Sequence, residues 1–264
     1  MENKFKYCDI HPNAKIGRNA NIGAFTAIAD NVEIGEGADI STNVSIQSGV
    51  RIGKNVKIFP GAVLGAIPQD LKFKHEESHL IIGDDVTIRE CCTLNRGTQA
   101  SGATIIGNNV LLMAYVHVAH DCVIGDYSIL ANAVNLAGHI QIGNNVVIGG
   151  MSAVHQFVNI GQHSMIGGGS LVRKDVPPYV KASREPLSYV GINALGLKRR
   201  GFSAEQIKQV QDIYRILFVS GCNIKDATSK IEAKLPDSVF KTEILGFVNG
   251  AQRGIMKGFR SLKS

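Results

Sequence analysis

A chain of 264 residues, 44% hydrophobic, 19% charged and 6% aromatic with no Trp, is long enough for one or two domains but poor in the aromatic groups of a conventional large core. No run of 18 or more uncharged apolar residues occurs, and the N-terminal MENKFKYCDI has no apolar segment, so neither a transmembrane segment nor secretion is expected and the chain is placed in the cytoplasm. The net charge of +6 divides into −2 over residues 1–180 and +8 over 181–264, so the basic character belongs to the C-terminal third, which can serve nucleic acid, anionic lipid, a nucleotide phosphate or an acidic protein, and charge alone does not choose among them.

From Ile10 to Val172 a step of six residues meets an aliphatic side chain at 25 of 28 stations, the exceptions being Asp70, Glu76 and Ala100. A small or β-branched residue usually stands two before the station, and Gly follows it at twelve, Gly17, Gly35 and Gly125 among them. A period of six is neither a helix face nor a simple alternating strand. It predicts short strands joined by tight corners, the aliphatic residue filling the interior of a solenoid and Gly supplying a permissive backbone. With three hexads to a coil, residues 18 apart stack about 4.8 Å above one another. The lost stations predict a protruding loop at 65–79 and a smaller one at 99–103. Cys92 and Cys122 fall on inward positions and read as packing; the five cysteines, odd in number and without paired zinc-type spacing, read as reduced thiols.

In the middle of the repeat, AYVHVAHDC (114–122) interrupts an apolar stretch with two histidines. Val116 and Val118 take the inward positions, which leaves His117 and His120 outside the core. His120, Gly138 and Gln156 are spaced by 18, so they stack on successive coils, with His139 and His155 beside them. Four of the eight histidines thus share one edge, which favours a site over isolated surface residues. Met113 and Tyr115 read as coil or interface packing. After Val172 the pair Pro177–Pro178 is expected to end the last coil. Helical spacing follows: a capping box at Ser203 and Gln206 before Ile207, Val210, Tyr214 and Leu217, then Ile224, Ala227 and Ile231, then a third helix starting at Pro236 with Phe240, Ile244, Phe247 and Val248. The expected domains are 1–180 and 181–264.

The six-residue period resembles that of the hexapeptide-repeat family, which implies a mainly β fold: a left-handed parallel β-helix followed by a small α-helical C-terminal domain. The strings IRECCTLNRGT (88–98), VHVAHDCVIG (116–125), LAGHIQIG (136–143), IGGMSAVHQF (148–157), DVPPYV (175–180) and GLKRRGFS (196–203) are similar, more closely, to the O-acyltransferases that start lipid A synthesis on UDP-N-acetylglucosamine. That resemblance implies transfer of a 3-hydroxyacyl chain from acyl carrier protein to the sugar's 3-hydroxyl, with His120 as general base, Asp121 orienting it and the Gly138 N–H stabilising the oxyanion. The missing Gly138 side chain would let the thioester approach. His117, His139, His155 and Gln156 carry over as substrate contacts, as do Asp70 and Lys72 for the nucleotide sugar and Asn193, Arg199 and Arg200 for its nucleotide end. Gly168, at a position where a side chain would limit the acyl chain, implies a long chain. The resemblance also implies a homotrimer with sites between subunits, no cofactor, no metal, no nucleic acid partner, and an acidic carrier protein facing Lys198, Arg199, Arg200, Lys208 and Arg215. The chain departs from the family pattern at Asn95, where histidine is frequent, and at Leu195, where an acidic residue is common.

Three rival readings remain open on the residues. Hexapeptide solenoids also host zinc-dependent carbonic anhydrases with three His ligands. The N-acyltransferase of the same pathway shares the solenoid and the carrier protein, with an additional N-terminal domain. A solenoid can also be a binding scaffold without catalysis.

Overall fold

The structure, a computed structural model, describes residues 5–258. Short strands, mostly of two residues, recur every six residues and assemble into three sheets of nine, eight and eleven strands, here sheets A, B and C, parallel except where Ser188–Ile192 joins sheet C. They form the three faces of a left-handed parallel β-helix. Each coil contributes one strand to each sheet, as His117–Val118 to A, Val123–Ile124 to B and Ile129–Leu130 to C.

The register follows the sequence period. Ala27 pairs with Ser45 and Ser45 with Val63, a step of 18. Val63 then pairs with Thr93, a step of 30, and Thr93 with His117, a step of 24, before His117 returns to Asn135 at 18. The two excesses, twelve and six residues, are the lost stations. Both leave the coil between a sheet A strand and the next sheet B strand, after Val63–Ala66 and after Thr93–Asn95, so both loops stand on the A–B corner.

The interior is a stack of the aliphatic stations and the residues two before them: Ile40, Leu64, Ile88, Leu112, Val116, Val118 and Leu136 are fully buried, as are Cys92 and Cys122. Burial pushes the Cys92 thiol up to about 11 and the Cys122 thiol to about 12, so both stay protonated packing groups. Tyr115 stands exposed on the C–A corner. The glycines after the stations have a different cause from the one expected. Gly35 and Gly125 do not have positive φ; a Cβ on Gly35 would lie 2.3 Å from the Gly53 carbonyl oxygen, and one on Gly125 2.6 Å from the Gly143 backbone. They permit coils to stack, whereas the left-handed backbone falls two residues later, at positions such as Asn19, Asn31, Gly37 and Asn43.

The Pro pair does not end the solenoid. Val176 bridges to Ile160, Val180–Ser183 pairs in parallel with Met165–Ile166, and Ser188–Ile192 runs back antiparallel to it. Lys257–Gly258 then joins the same edge, so sheet C runs past residue 180 and takes back the chain after the helices. Between these strands lie α1 (Ala194–Arg199), α2 (Ala204–Tyr214), α3 (Ile224–Lys234) and α4 (Val239–Gly250). The Ser203–Gln206 capping box is formed in both directions. Helix α4 is capped by Ser238 and begins at Val239, three residues beyond Pro236. The helices sit on the last coils through stacked aromatic rings, His163 on Tyr179 and Phe202 edge-on to His163, and through the Tyr214 hydroxyl, which donates to the Pro178 carbonyl at 2.6 Å. No described helix is long and apolar enough to cross a membrane.

Candidate active site

The A–B corner takes left-handed backbone on successive coils. Asn31 and Gly49 occupy it above the loops, but Asp121, His139 and Phe157 occupy it below them, with φ of 60°, 61° and 64°. Asn and Gly tolerate this conformation, whereas histidine and phenylalanine adopt it at a cost.

Asp121 is the hub. Its side chain is fully buried, and its N–H donates to the Thr104 hydroxyl at 2.9 Å. Oδ1 accepts from the Thr98 N–H at 2.9 Å and from the Ser101 hydroxyl. Oδ2 accepts from the Thr98 hydroxyl at 2.7 Å and from His120 Nδ1 at 2.8 Å. Burial alone would push the carboxyl up, but the donors Ser101, Thr98 and His120 outweigh it and hold it at about 2. Asp121 is thus an anion at any working pH. A carboxylate acceptor requires the proton on His120 Nδ1, which leaves the Nε2 lone pair as the basic atom.

The His120 ring lies against Gly138 on the next coil: a Cβ there would fall 2.6 Å from Cε1 and 2.8 Å from Nε2. The space expected for an approaching thioester at Gly138 is therefore taken by the imidazole itself, and glycine is required because His120 rests on it. The Gly138 N–H donates to no group among the described residues. His139 meets His120 edge-on with ring centroids 5.0 Å apart and stacks on Phe157 at 4.6 Å. His117 lies on the outer side of sheet A, bonded to the Thr93 hydroxyl at 2.7 Å, and burial lowers its pKa. His155 and Gln156 are exposed on the coil below, His155 Nδ1 lying 3.1 Å from the Gln156 carbonyl. The four histidines share an edge, but only His120 and His139 are in ring contact.

The longer loop stands over this corner. Asp70 Oδ1 accepts from the Lys72 N–H at 2.9 Å, which folds the loop back on itself while the Lys72 side chain is exposed. Asn95 is buried at the loop base and donates to the Ala66 and Ile67 carbonyls, the latter at 2.9 Å; it ties the loop down and does not face open space.

The remaining predicted residues lie on other corners. Asn193 is buried, caps α1 and donates to the His163 carbonyl at 2.9 Å, and Arg200 Nε donates to Asn145 Oδ1 at 2.8 Å. His163 and Asn145 belong to the B–C corner, one whole face from His120. Burial, with Arg200 adding to it, lowers His163 to about 4, so this ring is neutral. Arg199 and Leu195 are exposed nearby. Gly168 is exposed on the C–A corner, beside Gly150.

Among the described residues, the one group with metal-ligand spacing is His120, Asp121 and His139. Its donor set suits a hydrogen-bonded dyad better than a zinc site. Asp121 accepts from four donors already, and His120 Nδ1 is committed to it, so a cation would have to displace them. Sequence reasoning missed Thr98, Ser101 and Thr104. The signal available was the lost station at Ala100, one coil above Asp121.

Comparison with known proteins is consistent across the chain. Residues 175–256 match the family profile described as UDP-N-acetylglucosamine O-acyltransferase, domain 2. Residues 103–138 match the bacterial transferase hexapeptide profile, and residues 5–105 the GMPPB C-terminal domain. The acyl-acyl-carrier-protein–UDP-N-acetylglucosamine O-acyltransferase of Sulfurihydrogenibium sp. (strain YO3AOP1) is 58% identical over 254 residues, 94% of each chain. That of Trichlorobacter lovleyi is 53% identical over 94% of this chain and 97% of its own. The crystal structure of the UDP-N-acetylglucosamine acyltransferase from Bacteroides fragilis superposes with a TM-score of 0.93 at 50% identity, covering 96% of this chain and 99% of that one.

Proposed function

The chain belongs to the UDP-N-acetylglucosamine O-acyltransferase family of hexapeptide-repeat proteins, and on that premise we propose that it moves a 3-hydroxyacyl chain from acyl carrier protein to the 3-hydroxyl of UDP-N-acetylglucosamine, the first step of lipid A biosynthesis. The observation that carries this reading to particular atoms is the His120–Asp121 pair resting on Gly138. His120 Nε2 takes the proton of the sugar hydroxyl as its oxygen attacks the thioester carbonyl. The imidazolium that forms is stabilised by the buried Asp121 anion. The Gly138 N–H donates to the oxyanion, and on collapse His120 returns its proton to the departing carrier thiolate, so the enzyme is restored without cofactor or metal.

The other substrate contacts follow from position. His117, His139, His155 and Gln156 flank the dyad along its edge, and Asp70 and Lys72 belong to the loop that leaves the same corner of the solenoid. Asn193, Arg199 and Arg200 hold the nucleotide end, the cationic pair matching a diphosphate. Because Arg200 and Gly168 lie on corners other than that of His120, one chain cannot wrap one substrate with all of them. A homotrimer with the site in the cleft between neighbouring subunits accounts for that separation. Lys198, Arg199, Lys208 and Arg215 are exposed on the helices and offer an acidic carrier protein a complementary surface. The absent side chain at Gly168 favours long acyl chains, and the enzyme works in the cytoplasm, where its carrier protein and nucleotide sugar are made.

The test is an assay of UDP-N-acetylglucosamine with 3-hydroxyacyl carrier-protein thioesters of ten to sixteen carbons, comparing wild type with His120→Ala. Wild type should prefer fourteen carbons or more, and the variant should lose on the order of a hundredfold or more in kcat. Activity that survives the substitution removes His120 as base, and a preference for ten carbons removes the role of Gly168.

A further inference from the structure

Three of the four donors to Asp121 have no part in the mechanism above. The Thr98 N–H and hydroxyl and the Ser101 hydroxyl all come from the shorter loop, where one hexad is lost from the coil. That loop is itself anchored, since the Gln99 N–H donates to Glu76 Oε1 of the longer loop at 3.0 Å and the Gly97 N–H to the His79 carbonyl at 3.0 Å. A carboxylate with a single imidazole partner concentrates its charge on that partner. One that accepts from three further donors spreads its charge and stabilises the imidazolium less.

We infer that Thr98 and Ser101 are positioning residues for the catalytic pair: they fix the plane of the Asp121 carboxylate and weaken its hold on a proton at His120, keeping the imidazole neutral and available as base. The inference rests on the acyl-transfer reading of His120. Other titratable groups face the pair. His139 on the next coil has Nδ1 3.7 Å from Asp121 Oδ2, and Glu76 on the longer loop feels the Asp121 charge. The substitutions replace neither group, and His139, which shares the Asp121 anion, is followed in the same titration. Asp121 is ionised far below neutral pH, so removing one donor leaves it an anion in the working range and changes only how its charge is shared.

The experiment is an NMR titration of the His120 imidazole in the full-length protein, for wild type, Ser101→Ala, Thr98→Val and Thr98→Ser, paired with the pH dependence of kcat/KM. The base must be neutral, so activity falls as pH drops through the His120 midpoint. Ser101→Ala and Thr98→Val should raise that midpoint by roughly half a pH unit or more and carry the acid limb of kcat/KM upward with it. Thr98→Ser, which keeps both donors, should match wild type. Ser101 is exposed, so its variant carries the test alone if Thr98→Val does not fold. An unmoved midpoint in a folded Ser101→Ala protein overturns the inference, even if kcat falls. A midpoint that rises as expected in a protein whose His120→Ala form is fully active upholds the charge sharing and overturns the assignment of His120 as base.

Discussion

His120 and Asp121 illustrate what one residue type can disclose by its position. Their adjacency and their outward register on the hexad were legible from the chain, because Val116 and Val118 claim the interior. The reason for Gly138 was not. Register alone shows that Gly138 stacks on His120, but not that an imidazole occupies the volume of the missing side chain. This contact sets an expectation for Gly138→Ala: the new Cβ overlaps the ring, the His120 Nε2 must shift, and the backbone N–H is retained. The loss should fall on kcat, by about tenfold to a hundredfold, with KM for the nucleotide sugar nearly unchanged, since a displacement of about 1 Å at the reacting atoms is costly. Steady-state kinetics of the variant checks this. A loss confined to KM would mean that Gly138 serves ground-state binding. The donors from Thr98 and Ser101 were illegible for a different reason: they lie where the repeat is broken, and periodicity carries no information about residues that do not follow it.

Elements differ in how far local sequence determines them. Most strands are two residues long and have no stability of their own; they exist because each stacks on a copy in the next coil, for the most part 18 residues away. That is why the period predicted the strands better than any propensity could, and why the Pro pair misled. Pro177 and Pro178 lack N–H donors, but the strand bonds are taken up again at Val180–Ser183. Helix α1 escaped notice because six residues are too few to display a helical period. Helix α2 was announced by its cap, and both arms of the Ser203–Gln206 box are formed. Ser203→Ala should lower the unfolding free energy of the helical segment by about 1 kcal/mol, measured by urea unfolding monitored by far-UV circular dichroism. No change would mean that packing of Val210, Ile213 and Tyr214 against the solenoid decides the helix by itself.

At the scale of the whole molecule, the residues assigned to the substrate are divided among three corners of a triangular prism, and the trimer reading makes a demand that can be checked. If each site draws His120 from one subunit and Arg200 from its neighbour, neither His120→Ala nor Arg200→Ala is active alone, but assemblies refolded from a mixture contain some clefts with both residues intact. An equimolar mixture should recover a fraction of wild-type activity on the order of a quarter, as random pairing of neighbours requires. Recovery of nothing would place both residues in a single-chain site. Sequence period made the prism legible, while its handedness came only through family resemblance, since a repeat of six is silent on the direction of winding.

The lengths of the two departures from the coil, twelve and six residues, are whole numbers of hexads. Each loop is therefore a rung or two of the ladder released outward, with the rungs before and after still in step. Excision of residues 67–78 would rejoin Ala66 to His79 with the spacing of an ordinary coil. The machinery over the catalytic corner can thus be gained, lost or exchanged in units that leave the column beneath it in phase, so this architecture separates the inheritance of a scaffold from the inheritance of a chemistry.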